Sequence, residues 1–172
     1  MARIPYADLN TPAIAELVGQ IKHERGGKVL NLYRVLLHSP PVAQGWLNLF
    51  TAIRQNSALA GRYRELAILR VAVINGADYE FAQHVPFALK EGCTPAEIET
   101  LRGGTTPSTF DVKDHAVLDY ASAMTRDIRV PDALFAQIRD AFPEREIVEL
   151  TATIAGYNLV SRFLEAMQID HE

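Results

Sequence analysis

The chain has 172 residues, enough for one domain with a sizeable core, and its 48% hydrophobic and 22% charged content are those of an ordinary globular protein. A formal net charge of −4 with no basic patch argues against a nucleic-acid or anionic-membrane partner. No apolar run approaches the roughly 18 residues of a membrane span, and the opening MARIPYADLN lacks a signal-peptide core, so the expected location is cytoplasmic.

In chain order, Asn10-Thr11-Pro12 supplies a cap and an N1 proline for a first helix that Gly26-Gly27 ends, with Ile14, Leu17, Val18 and Ile21 as its inward stripe. Leu30 to His38 forms a short apolar helix stopped by Ser39-Pro40-Pro41. Pro41 to Arg54 forms another, with Trp46, Leu49, Phe50 and Ile53 inward. His23 reads as solvated and His38 as a residue at a helix C-terminus, where the dipole favours a cation.

Arg62 to Ile74 is apolar almost all round, through Leu66, Ile68, Leu69, Val71, Ala72 and Val73, and such a helix is buried. Glu65 lies one turn before Leu69 and points into the same environment. After the Asn75-Gly76 turn signal a second helix carries Glu80 and His84 four apart, on a face shared with Phe81 and Ala88. Three ionisable groups therefore converge on a predicted core. Pro86, two residues beyond His84, predicts a kink.

The single cysteine, Cys93, excludes an intrachain disulfide framework and reads as a buried apolar residue ahead of the capping-box pattern Thr94-Pro95-Ala96-Glu97. Further helices are expected over Pro95 to Leu101, Asp111 to about Thr125, from Val130-Pro131-Asp132 through Ile138, and from Pro143 to about Met167. His115, beside acidic residues, reads as surface. No stretch alternates as a strand and no linker divides the chain. The expected fold is thus an all-α single-domain bundle of about eight helices over residues 1–172, with an N-terminal helix in 1–28.

Arg64-Glu65-Leu66-Ala67-Ile68-Leu69-Arg70-Val71-Ala72 followed by Tyr79-Glu80-Phe81-Ala82-Gln83-His84 resembles the carboxymuconolactone decarboxylase family, which includes the alkylhydroperoxidase D-like proteins. The similarity extends over residues 36–168, through Gly92-Cys93-Thr94-Pro95-Ala96-Glu97-Ile98 and Tyr157-Asn158-Leu159-Val160-Ser161-Arg162-Phe163. In the hydroperoxidase branch a glutamate, a C-x-x-C pair and a histidine form a proton relay. The glutamate and histidine match Glu65 and His84, but the two thiol positions fall on Ala77 and Glu80. A thiol-based peroxidase is therefore not expected.

The decarboxylase branch needs neither thiol nor cofactor. The resemblance implies a lyase or isomerase acting on a carboxylated lactone or related small organic acid. His84 would be the proton shuttle, Glu65 its orienting carboxylate and Glu80 a second acid/base group, with Tyr79, Asn158 and Arg162 binding substrate. It also implies homo-oligomers, trimeric or hexameric.

Other readings of the same residues stay open. Glu65 could form a structural ion pair with Arg62, Arg70 or Arg162, His84 could be a satisfied core histidine, and Glu80 a helix-start carboxylate. Asn158 and Arg162 could tie the last helix to a neighbouring subunit. Two carboxylates and a histidine could also ligate a metal, although Glu80 and His84 lack the Glu-x-x-His spacing. A relative with vestigial redox chemistry and a small-acid binding protein without turnover complete the alternatives.

Overall fold

In the computed structural model, which describes residues 2–172, the hydrophobic periodicity resolves into α-helices: α1 Ala15–Glu24, α2 Asn31–Leu36, α3 Pro40–Gln55, α4 Gly61–Asn75, α5 Asp78–Lys90, α6 Pro95–Arg102, α7 Val112–Arg126, α8 Asp132–Ala141 and α9 Glu144–Met167. A 3-10 turn, Pro12–Ile14, precedes α1, and no strand occurs among the described residues. The all-α expectation holds. Among the described residues none of the helices is long and apolar enough to cross a membrane.

The chain packs as two compact units, the stretch up to Asn56 together with Leu164–Glu172, and Ser57–Phe163. In the first, α1 and α2 both pack on α3 and bury Leu17, Val18, Ile21, Tyr33, Leu47 and Phe50. Arg25 ties them together: its Nε donates to the Tyr33 hydroxyl at 3.1 Å, and its guanidinium lies over the Tyr33 ring. The chain ends are stitched within this unit, the Tyr6 hydroxyl donating to Asp170 at 2.9 Å and the Arg3 amide to the Met167 carbonyl at 2.9 Å. His23 and His38 are exposed, and His38 Nε2 lies 2.7 Å from the Pro5 carbonyl oxygen.

The second unit is built around α4, which packs against α5 and α7. Every residue from Glu65 to Ala72 is buried, as expected of a helix apolar on all faces. Gly76 ends it at φ 66°, in the left-handed region that lacks a Cβ penalty only for glycine, and the Ala77 amide reaches back to the Ala72 carbonyl at 2.9 Å. That turn sends α5 back along α4 and so aligns the two helices that carry the ionisable residues.

The Thr94 capping box forms as read: Thr94 Oγ1 accepts from the Glu97 amide at 3.2 Å and Glu97 accepts from the Thr94 amide at 2.8 Å. Asp111 caps α7 by accepting from the Asp114 amide at 2.8 Å. Pro86 is exposed and lies inside a continuous α5. Cys93 is buried, and burial pushes its thiol up to about 11, which keeps it protonated and unreactive at neutral pH.

Candidate active site

Glu65 comes from the second turn of α4 and His84 from the middle of α5, and the structure brings them together. His84 Nδ1 lies 2.7 Å from Glu65 Oε2, with Glu65 only 2% and His84 5% exposed. A carboxylate buried this far from water must be compensated. Its second oxygen, Oε1, accepts from Arg64 Nε at 3.0 Å, and Arg64 also approaches Glu91 at 3.9 Å. Burial pushes the Glu65 carboxyl up, but the His84 ring, by charge and hydrogen bond, and Arg64 behind it hold it below the usual carboxylate range.

An ionised carboxylate can only accept, so Nδ1 of His84 carries the hydrogen that bonds to Glu65. The tautomer follows from the geometry. Nε2 is then the nitrogen that takes or gives a proton, and the ring is held against turning by its neighbours. Tyr157 of α9 meets it edge-on with centroids 4.9 Å apart, and Phe87, one turn along α5, tilts against it at 5.8 Å.

Glu80, 2% exposed, faces α9, where Ser161 Oγ lies 3.1 Å from both of its carboxyl oxygens. Tyr79 is buried beside it. The positions that carry thiols in the hydroperoxidase branch are thus a buried alanine, Ala77, and a buried carboxylic acid.

Asn158 and Arg162, four apart on α9, are joined to each other. The Asn158 side chain is engaged within the protein: its Nδ2 donates to Thr125 Oγ1 and the Ile154 carbonyl, both at 3.0 Å, and its Oδ1 accepts from Asn75 at 3.2 Å. Arg162 is exposed and folds back onto Asn158 Oδ1 at 2.6 Å. Asn158 therefore ties α4, α7 and α9 together and orients Arg162, because its own amide already has partners.

None of the cations considered for Glu65 is its partner. Arg62 forms a fork with Asp114 (3.0 and 2.7 Å), and Arg70 is buried and donates to the Gly104 carbonyl at 3.2 Å and Thr106 Oγ1 at 2.5 Å. Arg64, adjacent in sequence, takes the role instead. Among the described residues no group of three His, Cys, Asp or Glu side chains is disposed to hold a metal ion, because Glu80 turns to α9 while Glu65 and His84 face each other.

Three residues of the site escaped the sequence reading: Arg64, Tyr157 and Ser161. The last two are four apart on α9, the same helical spacing as Asn158 and Arg162 one position on.

Comparison with known proteins agrees with the all-α fold. The family model described as "Carboxymuconolactone decarboxylase family" matches residues 40–123. A protein of Bacillus subtilis (strain 168), uncharacterized protein YdfG, is 28% identical over 115 residues, spanning 66% of this chain and 78% of its own. Among solved structures, the alkylhydroperoxidase AhpD core of an uncharacterized peroxidase-related protein from Ralstonia eutropha JMP134 superposes with a TM-score of 0.85 at 18% identity, covering 99% of this chain and 92% of that one. The debrominase Bmp8 C82A in complex with 2,3,4-tribromopyrrole superposes with a TM-score of 0.81 at 15% identity, over 100% and 94% of the two chains. At these identities the two structures establish the fold and nothing finer.

Proposed function

We propose, from the match of the carboxymuconolactone decarboxylase family model to residues 40–123 and from the alkylhydroperoxidase D-like fold, that this chain is a cofactor-free lyase or isomerase of that family working by His/Glu acid–base chemistry. Its substrate class is a carboxylated lactone or a related small unsaturated acid. The observation that carries the reading is the 2.7 Å contact between His84 Nδ1 and Glu65 in a site closed to water. That contact keeps a hydrogen on Nδ1, which leaves Nε2 as the nitrogen to take up and hand on a proton, and it stabilises the ring whenever it is charged.

Decarboxylation of such an acid breaks the bond to the carboxylate carbon, releases carbon dioxide and leaves the electron pair delocalised into the conjugated lactone carbonyl. His84 Nε2 delivers a proton to that carbanion and regains one before the next turnover, so one proton is consumed per carbon dioxide released. Arg162, at the surface and aimed by Asn158, supplies a cation for a substrate carboxylate, and Tyr79 a further contact. Self-association as trimers or hexamers belongs to the same proposal. The exposed apolar Val148 and Leu159 on α9 supply surface for it, and sedimentation analysis tests it.

The direct assay follows carbon dioxide release and lactone absorbance over a panel of carboxylated lactones and unsaturated acids. His84→Gln is expected to lower kcat/KM by about 100-fold or more. Full turnover in His84→Gln removes the assignment. A second reading, a peroxidase-family relative without thiol chemistry, draws on Ala77 and Glu80 at the thiol positions and on the buried, protonated Cys93. It predicts no hydroperoxide consumption that Cys93→Ser abolishes, together with binding of small acids without turnover.

A further inference from the structure

The Glu80–Ser161 pair can be read by counting hydrogens. Ser161 is fully buried, and its Oγ lies 3.1 Å from each carboxyl oxygen of Glu80 and 2.9 Å from the carbonyl oxygen of Tyr157, one turn earlier on α9. A hydroxyl has one hydrogen and two lone pairs. It cannot donate to the carboxylate and to the carbonyl at once.

When Glu80 is ionised it is an acceptor only, and the serine hydrogen turns to it. When Glu80 carries a proton, its own O–H donates to Ser161 Oγ, and the serine hydrogen turns to the Tyr157 carbonyl, the ordinary back-bond of a helical serine. Rotation about a single C–O bond therefore keeps this contact satisfied in either state. A buried carboxyl is otherwise costly to cycle, because one of its two forms is left with an unmatched neighbour.

We propose that Glu80 is a reversible proton store for the site and that Ser161 is the positioning residue that lets it gain and lose that proton inside the core. The inference deepens the acid–base reading and rests on it for the use of the proton, though not for the proton's presence. The titratable and charged groups around Glu80 are His84 one turn on and the exposed Asp78 on α5, Glu65 with Arg64 on α4, and Tyr157 and the surface Arg162 on α9. Tyr79 is adjacent, and Arg102 of α6 lies 4.4 Å over the neighbouring Phe81 ring.

The test is infrared difference spectroscopy of the whole, substrate-free protein as a function of pH, with Glu80→Gln to assign the protonated-carboxyl band. One titrating band is expected, absent in Glu80→Gln. Ser161→Ala removes a hydrogen bond worth more to the anion than to the neutral acid, and moves the midpoint of that band up by about one pH unit. Ser161→Cys, nearly the same size with a weaker donor, moves it the same way by less, and decides the case if Ser161→Ala does not fold. A Glu80 band that never titrates, or a midpoint unmoved in the folded Ser161 variants, overturns the proposal. No enzymatic activity enters the readout, so a failed decarboxylase assay leaves this result standing on its own.

Discussion

Helix α4 holds two carboxylate–base pairs that look alike on a list of contacts and differ in what they can do. Near its start, Arg62 grips Asp114 in a two-pronged fork, lies over the Phe110 ring at 5.2 Å and has a side chain that is 27% exposed. The hydrogen bonds it donates to Asp114 raise the Arg62 guanidinium further above its already high value, so the proton never leaves. One turn on, Glu65 grips an imidazole in a dry setting. The first pair is a clamp. In the second the base is an imidazole, whose two ring nitrogens can each hold or release a proton, and only such a pair can move one.

The largest effect on stability that separates the two is expected from Glu65→Ala, about 3 kcal/mol by urea unfolding at neutral pH. That is the lower end of the cost of breaking a buried pair, because the stranded imidazole can shed its proton. Asp114→Ala should cost somewhat less, about 2 kcal/mol, since Arg62 can turn toward water. An Asp114 variant clearly less stable than its Glu65 counterpart would reverse the ranking.

Acid sharpens the contrast. The folded Glu65 carboxyl lies below its unfolded value of about 4.3, so its contribution is complete above that pH and is lost as the pH falls through the lower, folded value. The stability gap between the wild type and Glu65→Gln should therefore close below about pH 4, and a gap that widens on acidification would contradict the sign.

Away from both pairs the effects are smaller. Thr94→Ala removes the α6 cap and should cost about 1 kcal/mol. Ile128, a β-branched residue held at φ 65° and 84% exposed, should gain roughly 1 kcal/mol on replacement by Gly, measured as a rise in Tm. No gain would mean the turn holds no strain.

Much of this was legible in the sequence. The helical spacing of Leu66, Leu69 and Val73 placed α4 to within one residue at each end, and the Asn75-Gly76 signal placed the turn before α5. The position of Glu65 inside an apolar helix, with His84 on a shared face with Phe81, foretold their meeting. The partner of Glu65 was not legible, because Arg64 is its sequence neighbour. Adjacent positions on a helix point about 100° apart, and only a long side chain bending back can join them.

The face of α9 was not legible either. That helix carries apolar residues on most sides, so nothing in its pattern chose between Tyr157 with Ser161 and Asn158 with Arg162. The more polar pair drew the assignment, while Tyr157 meets the His84 ring and Ser161 the Glu80 carboxyl. Polar residue type signals chemistry only where the register is already known.

The central claim is the tautomer of His84, and nitrogen NMR of the ring in uniformly 15N-labelled protein reads it directly. With the ring neutral, the account predicts a protonated Nδ1 and a bare Nε2, and loss of that bias in Glu65→Gln. A bare Nδ1 with the hydrogen on Nε2, unchanged by Glu65→Gln, would contradict it.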